Sequence, residues 1–482
     1  MFFIEALNMN SENIPINKSK RFKSFFKDVI EAIAGTEQDF TEGRLSRAIL
    51  LLSIPAVLEM VMESVFVIVD IYFVSKLGAN AVATVGITES MITIIYAIAI
   101  GLGTATTSMV SRRIGEKNPD AASIAAFQAI LTGLIVSIII GIPGALFSKN
   151  LLGMMGASKP IIDSMSGYTS IMLGGNMVIM MLFIINAIFR SAGDAAVAMK
   201  VLWIGNIINI LLDPCLIFGL GPFPHMGVTG AAVATTIGRG TAVLVQFYLL
   251  FFGKKRIRLS IKHMVVNFSI MMKLIKLSFG SIGQNLIGTT SWIALVRIIS
   301  MFGSEVVAGY TIAMRIIGFT ILPSWGISNA ASTLVGQNLG AKKPDRAEKA
   351  VWVTGWINMI LLGVIGAILV FFPEIFIRIF IDNENVIKAG VLGLRIVSIG
   401  FIAYGLGMVL VNSFNGAGDT TTPLKINIFA YWLVEIPLAW LLAIKSGFNE
   451  EGVYIAIVVA ESLMTLIAWL VFRTGKWKLK EV

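Results

Sequence analysis

The 482-residue chain is short of charge, cysteine and histidine. Charged residues make up 14% of it, against about 25% in typical soluble domains. Hydrophobic residues reach 56% and mean hydropathy is +0.84. A soluble chain this apolar would have too little polar surface to cover itself. The single cysteine, Cys215, excludes an intrachain disulfide and a multi-cysteine metal site. Two histidines, His225 and His263, exclude a histidine-rich metal centre. Disordered, fibrous and disulfide-stapled classes fall away with them. What remains is an all-α integral membrane protein.

About 20 apolar residues at 1.5 Å each cross the hydrocarbon core. Twelve stretches meet that length: 48–75, 82–110, 122–147, 162–188, 196–219, 228–252, 270–301, 306–335, 347–372, 387–413, 422–445 and 452–472. Turn and polar signals separate them, such as Lys-Leu-Gly-Ala-Asn at 76–80 and Gly-Pro-Phe-Pro-His at 221–225. Several stretches are long, so tilt or extension beyond the bilayer is expected. Met1 to Asn10 carries Glu5 and has no basic run followed by a sustained apolar one, so no secretory signal is expected.

The net charge is +10, and in a membrane chain the position of the charges decides its meaning. With the N-terminus inside, the outer connections hold Lys76, Lys149, Lys159, Arg378, Lys388 and Lys445. Arg239, Arg297, Arg315 and Arg395 fall within or at the edges of spans. Arg239 and Arg395 are expected to snorkel or pair near helix ends. The other basic residues share the N-terminal side, clustering at 18–27, 112–117, 254–262, 342–349 and 473–480. The positive-inside rule then puts both termini in the cytoplasm of a multi-pass plasma (inner) membrane protein. Topology and contact with anionic membrane lipid account for the +10, and no nucleic-acid role is expected.

The expected organisation is a cytoplasmic extension (1–47), an N-lobe (48–253), an inter-lobe linker (254–269), a C-lobe (270–473) and a tail (474–482). In the extension, Phe22, Phe25, Phe26, Val29, Ile30 and Ile33 recur at helical spacing among lysines and arginines. That pattern predicts a short amphipathic helix on the cytoplasmic leaflet.

A shift of 225 residues brings the chain onto itself. Gly115, Lys117, Pro119, Asp120 and Ala122 meet Gly340, Lys342, Pro344, Asp345 and Ala347. The same shift puts Leu52-Ser53 on Leu277-Ser278 and Ala192-Gly193-Asp194 on Ala417-Gly418-Asp419. The repeat is therefore six helices. Six is even, so both halves enter from the same side, related by an axis along the membrane normal with a central cleft between them. This is the architecture of an alternating-access transporter.

Ionisable residues at membrane depth cost roughly 2.5–3.5 kcal/mol each and are functional candidates by default. Glu59, Glu63 and Asp70 fall on one stripe of the first helix. Asn206, Asn209 and Asp213 share one face of the fifth, with Pro214 following. A polar cluster that locks the bundle by hydrogen bonds is the alternative. Glu59 and Glu63 either line the cleft or pair with Arg297 or Arg315, which are themselves cleft candidates. Glu89, Glu435 and Glu461 have no assigned role. Arg-Ser-Ala-Gly-Asp (190–194) and Asn-Gly-Ala-Gly-Asp (415–419) lack the Lys-Ser/Thr of a nucleotide loop and read as turns. With no Walker motif, ATP-driven export is not expected. No nucleophile–base constellation suggests an enzyme, and no cofactor is expected.

The chain resembles the multidrug and toxic compound extrusion (MATE) family over about 45–475. The resemblance rests on Leu-Ser-Ile-Pro (52–55), Asp70 followed by Lys-Leu-Gly (76–78), Arg-Arg-Ile-Gly (112–115) and Arg-Ser-Ala-Gly-Asp (190–194). Asn-Ile-Leu-Leu-Asp-Pro (209–214), Gly-Val-Thr-Gly-Ala-Ala-Val-Ala-Thr (227–235) and Asn-Gly-Ala-Gly-Asp-Thr (415–420) extend it. It implies export of organic cations and amphipathic drugs in exchange for H⁺ or Na⁺ by a protein acting as a monomer. It also implies an N-lobe cation site at Asp70, Asn209 and Asp213, with Thr235 as the sixth-helix member; two carboxylates, an amide and a hydroxyl so gathered would supply hard oxygen ligands for Na⁺, and the two carboxylates would equally hold a proton. Other members of the family place coupling carboxylates in the seventh and tenth helices. Neither helix has an acid here, which argues against an ion site of that kind. A flippase for lipid-linked sugars, from the wider superfamily, is the alternative function. Glu59, Glu63 and Asp70 oppose it.

Overall fold

The computed structural model describes residues 18–35, 38–253 and 255–482, with backbone alone for 18–25. The described residues form helices and turns, with no strand among them. An N-terminal helix, Lys18–Ala34, precedes the bundle. Its exposed stripe carries Phe26, Ile30 and Ile33, while Ala32 is buried. The side chains of Phe22 and Phe25, also assigned to that stripe, lie outside the described residues. The helix packs on the first span, where Arg47 pairs with Asp28 and Glu31.

The first half contains α1 (Leu45–Ser75), α2 (Ala79–Gly115), α3 (Pro119–Leu146), α4 (Lys159–Ala192), α5 (Ala195–Phe218) and α6 (Val228–Phe252). The second contains α7 (Phe268–Ile299), α8 (Ser304–Gly340), α9 (Pro344–Phe371), α10 (Glu384–Ile399 and Phe401–Ala417), α11 (Thr421–Lys445) and α12 (Asn449–Arg473). Eleven described helices are long and apolar enough to cross a membrane, and the two parts of α10, bent by 57°, make the twelfth. Exposed Ile139, Leu146, Leu244, Phe252 and Phe371 are spread over the flanks. Such an apolar exterior is untenable in water and natural in lipid. With 37 residues each, α2 and α8 are about 55 Å long, well beyond the hydrocarbon core.

The repeat seen in the sequence is a repeat of turns. Gly193 ends α4 with φ 96° and Gly418 ends α10 with φ 88°, both left-handed, a conformation glycine adopts without penalty. Asp194 then caps α5 by accepting from the Val197 amide, and Asp419 accepts from the Thr421 and Thr422 hydroxyls. Lys255 pairs with Asp194, and Lys480, 225 residues on, pairs with Asp419 at 3.4 Å. Lys117 and Lys342 both sit at φ 57°.

Each half has its own apolar core. The halves meet where α1 packs on α8 and α2 packs on α7 and α8. At one end the contact is backbone on backbone. A Cβ on Gly115 would collide with the Gln337 carbonyl, and one on Gly340 with the Arg112 carbonyl. These two glycines are repeat partners, so the halves close at this end through the very residues that define the repeat. Segment 38–42 straps the same end. Phe40 is buried, Lys343 donates to the Thr41 carbonyl and Arg346 to those of Phe40 and Glu42.

Candidate functional site

A cavity of about 790 Å³ lies between the halves. From the first half α1, α2, α4, α5 and α6 line it, and from the second α7, α8, α10, α11 and α12.

The first half presents charges in pairs. Glu59 on α1 takes hydrogen bonds from Asn186 at 3.0 Å and from Arg190 at 3.1 and 3.2 Å, both on α4. Gln246 on α6 donates in turn to Asn186. Glu63, one turn further along α1, meets Arg239 of α6 at 2.7 Å. The same guanidinium donates to the Tyr96 hydroxyl at 2.7 Å and packs over the Phe66 ring. Arg239 is 5% exposed. The expectation that it snorkels or pairs near a helix end is corrected in its place: Arg239 pairs midway along α6. The glutamates also pair differently from the sequence expectation: their partners are Arg190 and Arg239. Arg297 and Arg315 are exposed and do not line the cavity. Glu89 lines the cavity within the field of Arg239 and Arg315.

Behind this layer lies a second polar group. Asp213 on α5 is fully buried. Its Oδ1 accepts from Asn209 at 3.3 Å, and Asn209 also donates to Thr235 on α6 at 3.1 Å. Thr235 reaches the cavity wall. Asp70 lies close enough for its charge to act on Asp213. Asp213 Oδ2, Asn209 Oδ1 and Asp70 Oδ1 are buried and without a partner. Of the expected set, Asn206 alone is elsewhere, donating to Glu63 at 3.2 Å.

The second half lines the cavity with neutral groups. Gln284 of α7 and Asn415 of α10 exchange hydrogen bonds at 3.1 and 3.2 Å, and Gln284 also donates to the Thr420 carbonyl. Asn285, Asn329, Asn412 and Asn427 add amides, and Trp325, Tyr404 and Tyr431 add aromatic faces.

Arg190, Arg239, Tyr96 and the amides are the lining residues that sequence reasoning missed. Arg239 carried a usable signal. It lies one turn from Thr235, deep in an otherwise uncharged helix with eleven residues before it and thirteen after it.

Among the described residues, eleven membrane-length helices and one bent pair form two like halves around a polar cavity, the architecture of a membrane transporter. A sequence model of the MatE family matches residues 55–215 and again 281–441, so the chain belongs to that family, the multidrug and toxic compound extrusion transporters. It is 27% identical to the probable multidrug resistance protein NorM of Thermotoga maritima, covering 91% of this chain and 94% of that protein. It is 25% identical to an FAD transporter of Shewanella oneidensis, over 88% and 94% of the two chains. A solved outward-facing multidrug resistance MATE family transporter of the MOP superfamily superimposes with a TM-score of 0.86. That match has 25% identity and covers 92% and 99% of the chains.

Proposed function

We propose that this protein is a secondary antiporter that exports organic cations and amphipathic drugs in exchange for H⁺ or Na⁺ by alternating access. The observation that carries the coupling site is the group of three buried, unpartnered acceptor oxygens on Asp70, Asn209 and Asp213. Acceptors without donors at membrane depth call for a cation or a proton. Carboxylate, amide and hydroxyl oxygens fit both. Thr235 joins the site to the cavity, so loading there is felt by whatever occupies the cavity.

Residues 111–122 and 336–347 lie on the cytoplasmic side in this reading, with both termini, in the plasma (inner) membrane. Closure through Gly115 and Gly340 then makes the conformation outward-facing. The N-terminal helix rests its exposed stripe on the cytoplasmic leaflet. An ion taken up at Asp70 and Asp213 from outside favours release of the drug. The halves rock, the ion leaves inward, and a new substrate binds. The ion works only through its different affinity for the two states. Glu59, Glu63 and Glu89, against Arg190 and Arg239, leave the cavity wall with an excess of acid, which suits a cationic or amphipathic cargo. The similarity to an FAD transporter raises a flavin nucleotide as cargo. The acidic wall disfavours its diphosphate, as it does that of a lipid-linked sugar.

Proteoliposomes loaded with a fluorescent organic cation, under Na⁺ and pH gradients imposed separately, test this. Asp70→Asn and Asp213→Asn should each lower gradient-driven export at least about tenfold while the protein still inserts. Undiminished export by both variants rejects the site. Export of FAD in preference to the cation rejects the cargo class.

A further inference from the structure

Two carboxylates of the second half take no part in that mechanism. Glu435 closes a π-helical stretch of α11, Ile428–Glu435, and is 5% exposed. π-turns inside helices recur at functional sites. The Ser291 hydroxyl of α7 donates to Glu435 Oε2. Glu461 on α12 accepts from the Tyr431 hydroxyl at 3.1 Å, and its Oε2 is buried with no partner. The two carboxylates are close enough for their charges to interact.

The other ionisable groups that face them are Tyr310 from α8, Tyr404 from α10 and Tyr431 from α11 itself. Among the described residues, neither carboxylate has a lysine, arginine or histidine acting on it. Glu59 and Glu63, by contrast, each rest on an arginine. Burying one unpaired carboxylate is costly, and two adjacent ones resist ionising together. One proton between them removes the conflict. Tyr431 occupies only Oε1 of Glu461 and leaves its buried Oε2 open to a proton. Ser291 and Tyr431 already aim their hydrogens at the carboxylates, where a cation would need their lone pairs.

The pair is also connected to the cavity. Tyr431 lines it, and so does Asn427, one turn earlier. Asn427 is 8% exposed and its Oδ1 has no partner. Asn427, Tyr431, Glu461 and Glu435 thus lead from the cavity into the second half.

We propose that Glu435 and Glu461 form a proton site in the second half, distinct from Asp70 and Asp213, which holds one proton between them and exchanges it with the cavity past Tyr431. It lies on α11 and α12, not on the seventh and tenth helices.

The test counts protons on the purified full-length protein in lipid nanodiscs, in unbuffered medium stepped from weakly acidic to weakly alkaline pH. The background is Asp70→Asn/Asp213→Asn, which silences the first-half site. Adding Glu435→Gln and Glu461→Gln together should remove about one proton per molecule from the count. Glu461→Asp, which keeps the acid and serves as the control for folding, should restore it. Tyr431→Phe should keep the count and slow release after a pH jump several-fold. Equal counts with and without the paired glutamine substitutions overturn the proposal. A proton released on adding Na⁺ at constant pH, and lost with Glu461→Gln, makes Na⁺ the ion and overturns the proton assignment. An unchanged release rate in Tyr431→Phe removes the route past Tyr431. The count does not depend on antiport at Asp70 and Asp213, so failure of that reading leaves it untouched.

Discussion

At the positions of Glu59 and Arg190, the second half carries Gln284 and Asn415, each 225 residues on. Both pairs bridge equivalent helices and both line the cavity, one as an ion pair and the other as exchanged amides. Arg239 likewise faces the cavity where Met464 does in the second half. Asp70 and Asp213 correspond to Leu295 and Leu438, while Glu435 and Glu461 correspond to Ile210 and Thr236. The turns of the two halves are the same, and the chemistry inside them is not. Each half holds its own carboxylates at non-equivalent positions, so the cavity has an ionic wall and an amide and aromatic wall. A ligand between them meets charge on one side and neutral hydrogen bonding on the other.

The most direct way to break this contrast is to make the first half resemble the second. Arg239→Met installs the residue of the equivalent position and strands Glu63 beside a buried gap. Removing one partner of a buried pair costs about 3–5 kcal/mol, so the melting temperature in detergent should fall more than for any other cavity variant described below. Adding Glu63→Gln should recover most of the loss, because the stranded charge is what is penalised. A single variant as stable as the parent would mean that Glu63 is adequately solvated without Arg239.

In the second half, Gln284→Leu removes the partner of Asn415 and leaves neutral amide groups unsatisfied. The expected loss is about 1–3 kcal/mol, smaller than for Arg239→Met because no charge is stranded. Exchanging the pair itself is milder still. Glu59→Gln with Arg190→Asn places the second half's amides in the first. Neutral replacement of a buried pair is often tolerated, so the double variant should lie within about 1 kcal/mol of the parent. A larger loss would show that Asn186 and Gln246, which complete the Glu59 network, require the charge.

The fold was legible because its causes are local. Apolar length sets the spans, and the glycine and aspartate turns at 192–194 and 417–419 announce the repeat. Asp70 and Asp213 were legible as charges stranded in apolar runs, and their stripes followed from helical spacing. Ion-pair partners were not legible. The partner of Glu59 lies 131 residues away in a segment that reads as a turn, and that of Glu63 lies 176 residues away. Which arginine meets which glutamate depends on how α1, α4 and α6 rotate against one another. Sequence order favoured Arg297 and Arg315, and neither lines the cavity. The Glu435–Glu461 pair was hidden for the same reason, since its members sit on different helices.

The smallest expected effect probes what the halves share. Lys117 and Lys342 hold the same left-handed backbone at φ 57°, which costs a residue with a Cβ about 1–2 kcal/mol. Glycine removes that cost but loses more entropy on folding, by about 0.5–1 kcal/mol. Lys342→Gly should therefore stabilise by at most about 1 kcal/mol. Lys117→Gly should gain slightly less. The Lys117 amine stands 3.9 Å from both Asp39 and Glu42, and such exposed pairs contribute about 0–1 kcal/mol. Melting curves at raised salt separate the two contributions. Screening weakens the surface pairs and leaves backbone strain alone, so the two glycine variants should converge as salt rises. If they stay apart, the turns differ in more than their side chains, and the backbone equivalence of the halves fails at the place where the sequence repeat is strongest.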